Sequence, residues 1–368
     1  MRMQPCLLFL FLSPLAAHGQ PREPLDIRMD FEAYDPPSTL VVPEHPRTRA
    51  KFPFIDVHSH HWQMADADLS ILARQMDSLN MAIVVNLSGR NSELLRKMTH
   101  NIDSQGYHYR MVVFSNINFQ TIDEPDWVEH TLKQLAYDLD SGARGLKIYK
   151  SQGMFHKDSQ GNRIPLNHPK LDSIWTRCGE YGIPVLIHAA DPALFWQPLD
   201  SLNERWLELK LNPGRKREAD DPASWETIIA EQHDVIRRHP QTTFINAHFG
   251  WYANDLKTLG ELLDEMPNMY IETGAIIAEL GRQPRMARQF FEKYQDRILF
   301  GKDSYQPDEY PTYFRVLETE DEYFPYYKRY HAFWKMYGLG LSDEVLKKVY
   351  YKNALTIIPG LDASLFPE

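Results

Sequence analysis

From Lys51 onward, short apolar runs alternate with stretches whose apolar residues recur at helical spacing. The runs predict eight strands, at 52–58, 81–87, 109–116, 143–149, 184–189, 243–247, 269–272 and 298–301. Between them, Leu171, Ile174, Trp175, Cys178 and Tyr181 keep one helix face. Val345, Leu346, Val349 and Tyr350 do the same after Ser342. Cys178 lies on the first apolar stripe and reads as core rather than as a reactive thiol. Eight strands, each followed by a helix, predict a parallel α/β fold, the (β/α)8 TIM barrel, over residues 51–368. A doubly wound open sheet is the competing arrangement, but no Gly-rich phosphate loop supports it.

The N-terminal segment has a different pattern. Arg2, the apolar run 6–12 and the small residues Ala17 and Gly19 read as a secretory signal peptide over residues 1–19, cut before Gln20. The run is shorter than the roughly 20 residues that a membrane span needs. No later segment approaches that length, so no membrane span is expected, and the protein is expected to be exported, periplasmic or extracellular, and soluble. Residues 20–50 carry Pro21, Pro24, Pro36, Pro37, Pro43 and Pro46. Proline removes backbone donors and fixes φ, so this stretch reads as an extended leader on the outside of the barrel. A homodimer contact is compatible with the leader but has no support in the sequence. Cleavage removes Cys6 and leaves Cys178 alone, so an intrachain disulfide is excluded and the fold must rest on its core or on a metal.

Charge narrows the partners. With 40 basic and 50 acidic residues the net charge is −10, which leaves no electrostatic footprint for nucleic acid. The run Arg215-Lys216-Arg217 is followed by Glu218, Asp220 and Asp221 and reads as a solvated loop. A small-molecule substrate remains.

The chemistry sits at the strand ends. In the first predicted strand, His58 and His60 are two residues apart and project to one face, a good pair of ligands for a divalent metal. Asp56 shares that face but lies deeper, where a structural hydrogen-bonding role suits it. The fifth predicted strand ends at His188, the sixth at His248 and the eighth at Asp303. A hydrogen-bonded core histidine explains any one of these. A shared metal site explains all of them, because a barrel brings its strand ends together.

These residues resemble the amidohydrolase superfamily, and most closely its amidohydrolase-related branch, which includes relatives of aminocarboxymuconate-semialdehyde decarboxylase. The resemblance rests on IDVHSH (55–60), LIHAAD (186–191), NAHFG (246–250), ILFGKDS (298–304) and the ending VLKKVYYKNAL (345–355). It implies a (β/α)8 barrel and one divalent metal, commonly zinc, on His58, His60, His188 and Asp303. His248 would stand beside the metal as an acid/base or substrate contact, and Asp303 would take the proton of an activated water. Lys147, in GLKIY (145–149), has two readings. It is either a charged amine that pairs with a substrate carboxylate, or a carboxylated lysine that bridges a second metal, as in binuclear relatives. The resemblance implies a metal-dependent hydrolase, with non-hydrolytic decarboxylation as the alternative. An exported metal-containing binding protein without turnover is the reading of another class.

The pocket above the metal is sketched by three features. The long connection from Asp191 to Trp225 is a candidate lid. Tyr305, Tyr310, Tyr313, Phe314, Tyr323, Phe324, Tyr326 and Tyr327 are either an aromatic wall or helix packing. Arg282 and Arg285 follow the seventh predicted strand, where they either meet a substrate carboxylate or lie on the surface. The sequon Asn86-Leu87-Ser88 has no functional reading from sequence alone.

Overall fold

The computed structural model describes residues 26–367, so the signal peptide and the first residues of the leader lie outside the described residues. The chain divides between Thr39 and Leu40 into two units. Within the first, residues 26–39 hold one short 3-10 turn, Phe31–Ala33, capped by the Asp30 carboxylate. The second unit is the barrel, and the end of the Pro-rich stretch belongs to it. Ala50 donates to the Leu79 carbonyl at 3.1 Å, and the His45 amide donates to Asp321 at 2.7 Å.

The barrel strands are β1 (Phe54–Ser59), β2 (Met81–Asn86), β3 (Met111–Val113), β4 (Ser115–Asn116), β5 (Leu146–Ile148), β6 (Val185–Ile187), β7 (Phe244–Asn246), β8 (Met269–Glu272) and β9 (Ile298–Leu299). All adjacent pairs are parallel, β1 to β3 in one sheet and β4 to β9 in another. β3 and β4 together are the third predicted strand. Phe114 between them donates to Asn86 on one side, while Ser115 donates to Gly145 on the other, so the strand passes from one neighbour to the next. At the remaining seam Val57 donates to Phe300 at 3.0 Å and Asp303 to His58 at 2.7 Å, which closes the (β/α)8 barrel.

A helix follows each strand, with β3 and β4 counted as one: Leu69–Leu79, Ser92–Ser104, Trp127–Asp140, Asp172–Glu180, Trp225–Arg238, Leu256–Glu265, Pro284–Lys293 and, after β9, Tyr310–Glu318. In Asp172–Glu180 the stripe Ile174, Trp175, Cys178 is buried as its spacing predicts, whereas Tyr181 lies past the helix end and is exposed. Ser342 caps the last helical stretch through the Val345 amide. A pi turn, Lys348–Lys352, follows and packs on β1 and β9.

Tyr310, Tyr313 and Phe314 are fully buried. Their i, i+3, i+4 spacing turns them into the barrel, where Phe54, Phe300, Phe314 and Tyr350 meet edge to face, with Phe54 and Phe300 4.8 Å apart. Burying one such ring is worth about 1.5–3 kcal/mol. These three aromatics are therefore core and not pocket wall. After them, a small antiparallel hairpin of β10 (Phe324–Pro325) and β11 (Lys335–Met336) turns back over the cavity at the C-terminal ends of the strands.

Candidate metal centre

His58 is buried near the end of β1, and His60 stands one step beyond the strand. Asp56 lies below them. Its Oδ1 accepts from the amides of His58 (3.0 Å) and Lys302 (3.2 Å), and its Oδ2 from the Tyr310 hydroxyl (2.6 Å). It ties the first strand to the last and does not face the histidine tips. Asn86, the first residue of the sequon, is also fully buried. Its Oδ1 accepts from the amides of His61 and Ser88, both at 2.9 Å, and its Nδ2 donates to the His61 carbonyl, so it shapes the turn that presents His60.

Hydrogen bonds at Nδ1 orient the imidazoles. The Nδ1–H of His58 donates to Glu272 Oε1 at 2.8 Å, which leaves Nε2 as a bare lone pair. That Nε2 is buried, has no hydrogen-bond partner among the described residues, and lies 3.4 Å from Asp303 Oδ1. His60 Nδ1 shares a hydrogen bond with Ser88 Oγ at 2.8 Å, and its Nε2 lies 3.6 Å from the same Asp303 oxygen. Ligand atoms of His58, His60 and Asp303 all fall within 4.8 Å of one another. His248 Nδ1 donates to the Gly274 carbonyl at 2.7 Å, so its Nε2 is also a lone pair, 3.3 Å from His188 Nδ1. His188 Nε2 is buried with no partner among the described residues. His188 therefore meets the group through His248, with ring centroids 4.3 Å apart, and stands outside the 4.8 Å cluster.

Glu272, which sequence reasoning missed, anchors these rings. Besides His58, it accepts from the His248 amide at 2.7 Å and from the Gly274 amide at 2.6 Å. A signal for it existed: it is the charged residue that ends the apolar run of β8, by the same rule that picked out His188 and His248. Room for it comes from Gly301, where a Cβ would collide with Glu272 Oε2.

The backbone at the strand ends is strained. Ala190, His248, Ala275 and Asp303 have φ of 55°, 58°, 56° and 81°, in the left-handed region that non-glycine residues avoid. Electrostatics follow from burial and neighbours. Burial, with Lys147 nearby, pushes His58 well below its usual range, and burial takes His60 to about 4. Burial likewise lowers His188. Burial would raise Asp303, but His58, His248, His60 and Lys147 around it hold its carboxyl below the usual carboxylate range. Three neutral imidazoles and one carboxylate form a donor set that suits a borderline divalent cation.

Lys147 is 1% exposed, and its Nζ has no hydrogen-bond partner among the described residues. Burial lowers it to about 7, against the pull of Asp303 and Glu272. It does not line the cavity beside His188, His248 and Asp303.

That cavity, about 350 Å³, is lined on its inner side by His188, His248 and Asp303. The predicted pair Arg282 and Arg285 is not there. Arg282 pairs with Glu204 at 2.9 Å and stacks 4.0 Å from the Trp334 ring, beside a different cavity. Arg285 is exposed on the helix Pro284–Lys293. Neither candidate substrate contact lines the cavity beside His188, His248 and Asp303, and Arg282 lines a neighbouring one that shares Pro192, Arg205 and Trp251 with it. The cavity cations are instead Lys150, Arg205, Arg215 and Lys328. The candidate lid does contribute, through Asp191, Phe195, Arg205, Glu208 and Arg215.

A family model described as amidohydrolase matches residues 118–359. The matched part includes Lys147, His188, His248 and Asp303 but begins after the strand that carries His58 and His60. No curated protein matches the chain significantly. Among solved structures, the chain is similar to a putative amidohydrolase from Staphylococcus aureus (16% identity over 83% of this chain and 99% of that one, TM-score 0.51). It is similar to an uncharacterized TIM-barrel protein from Bordetella bronchiseptica (15% identity, 83% and 97%, TM-score 0.50). It is also similar to 2,6-dihydroxybenzoate decarboxylase from Rhizobium (12% identity, 83% and 98%, TM-score 0.50). At these identities the likeness concerns the fold. Among the described residues no helix is long and apolar enough to cross a membrane.

Proposed function

The chain belongs to the amidohydrolase family and is a metal-dependent enzyme, and from that premise we propose that it hydrolyses a small carboxylate-bearing or cyclic substrate. In this reading one zinc ion per chain is held by His58, His60, His188 and Asp303. The supporting observation is that His58 and His188 commit Nδ1 to Glu272 and His248 while their buried Nε2 atoms stay bare. Such nitrogens cost stability unless something binds them. When bound there, the metal supplies a Lewis acid that polarises a carbonyl and brings a water's pKa toward about 7. Asp303, kept ionised by its neighbours, takes the proton of the attacking water. His248, anchored through Nδ1 on Gly274, exchanges a proton at Nε2 on the cavity wall. Substrate enters through the cavity under the lid. The mature chain starts near Gln20 and is exported, with the leader over 20–50 and the catalytic barrel over 51–368.

The test is metal content by elemental analysis of the wild type and of the His58→Ala, His60→Ala double variant. About one zinc per wild-type chain and less than about a tenth of that in the double variant are expected, with the far-ultraviolet dichroism preserved. Stoichiometric metal in the double variant removes the reading.

One observation favours a second arrangement. Lys147 Nζ is buried and unpartnered, which suits a lysine carboxylated by CO2 better than a charged amine facing substrate. His188 Nδ1 and His248 Nε2, 3.3 Å apart, would then both turn to a second metal. Two metals per chain with added bicarbonate, falling to one in Lys147→Met, select this arrangement. One metal in both proteins selects the first.

A further inference from the structure

The inner end of the cavity is occupied by the proposed metal centre, and its outer end carries chemistry that the centre does not use. His331, in the turn between β10 and β11, lines the cavity and is 7% exposed. Neither of its ring nitrogens has a hydrogen-bond partner among the described residues. Its nearest charge is Glu208 Oε2, 3.7 Å from Nδ1, which is beyond hydrogen-bond reach.

That glutamate is already taken. Arg205 holds it at 2.8 Å and Arg215 at 2.6 Å, and Arg205 also pairs with Glu279. Two guanidinium groups and two carboxylates cancel. Lys328, from the same turn as His331, lines the cavity as well and has no carboxylate partner among the described residues. The Tyr327 ring is 5.5 Å away, and Glu309, the carboxylate on the same wall, is paired with the buried Lys302. The outer wall therefore holds one cation without a carboxylate partner next to a buried imidazole whose N–H is unpartnered. An anionic oxygen can accept from both the ammonium and that N–H.

We propose that the turn between β10 and β11 builds an anion subsite, in which Lys328 and His331 receive a carboxylate of the substrate that points away from the metal. This rests on the hydrolase reading for the inner end of the cavity, and it replaces Lys147, Arg282 and Arg285 as the groups that recognise the acid. Lys328 acts as a point charge and His331 as a directional donor, so together they fix which end of the substrate faces inward. The substrate class is an acid with a carboxylate at the end opposite the bond that reacts.

Benzoate and isophthalate test it on the zinc-loaded full chain by calorimetry, since isophthalate offers a second carboxylate to the outer end and benzoate does not. Wild type is expected to bind isophthalate about tenfold or more tightly than benzoate, the scale of one charge-assisted hydrogen bond. Lys328→Gln and His331→Phe should each erase most of that preference and leave benzoate unchanged. Lys328 is half-buried at the rim, so Lys328→Gln reports even where His331→Phe does not fold. No preference in the wild type, a preference that survives both substitutions, or one that is lost only in Lys150→Gln would overturn the subsite. A metal-stripped arm separates this from the hydrolase reading. There the outer subsite is the place left for benzoate, and Lys328→Gln should weaken it by about tenfold whatever the metal content proves to be.

Discussion

The two ends of the barrel treat polar groups in opposite ways. At the N-terminal ends of the strands, polar side chains are matched to backbone. Asn268 Nδ2 donates to the carbonyls of Ile236, His239 and Thr242 at 3.1, 3.0 and 3.0 Å. Arg110 donates to Met81 and Ala82, and Arg297 to Met266 and Met269. At the C-terminal ends, His58 Nε2, Lys147 Nζ and His188 Nε2 are buried with no partner among the described residues. Four residues there also hold left-handed backbone, at about 1–3 kcal/mol each. One end stabilises the barrel, and the other keeps groups available and depends on the apolar layers between the two ends to hold them.

This contrast can be broken from either side, and the largest effect is expected at Asp303. Asp303→Asn keeps the shape, and three histidines can still hold a metal, so metal content should change little. Turnover of any ester, lactone or amide the enzyme accepts should fall by about 10² or more, because the amide cannot take the water proton. Near-normal turnover would point to chemistry without an attacking water, as in decarboxylation.

Glu272→Gln comes next. The amide can still accept from His58 but loses the charge that orients and strengthens the ring as a ligand. Metal affinity should drop by about 10–100-fold in a competition titration with a chromophoric chelator. Unchanged affinity would reduce Glu272 to packing.

The smallest effect lies at the opposite end. Asn268→Ala strips three carbonyls of their donor and should cost about 1–3 kcal/mol in thermal or denaturant unfolding, with metal content unaltered. A loss of metal in this variant would mean that the two ends are coupled and that the division of labour fails.

Much of the barrel is legible in the chain because strands buried on both faces appear as continuous apolar runs. The end of each run is where His58, His60, His188, His248 and Asp303 stand, and this is the rule that proposes them. Other features escape for physical reasons. Apolar periodicity says that residues 109–116 are extended but not that Phe114 is where pairing passes from one neighbour to the next. It cannot separate wall from core for Tyr310, Tyr313 and Phe314, whose helical spacing suits either. Arg282 and Arg285 mislead because a strand end fixes a starting point and not the direction of the turn that follows. Lys328 and His331 are invisible because a hairpin more than twenty residues past the last barrel strand folds back to bring them in. Glu272 was legible by the rule already in use.

Asn86 has a consequence for how this protein can be produced. In a eukaryotic secretory pathway the sequon Asn86-Leu87-Ser88 meets the glycosylation machinery while the chain is still unfolded. An oligosaccharide on its Nδ2 would have to fit where that atom donates to the His61 carbonyl at 3.1 Å, inside the turn that presents His60. The sugar cannot be buried there. Chains modified at this position would stall in the quality-control system of such a host, whereas a host without that machinery avoids the trap.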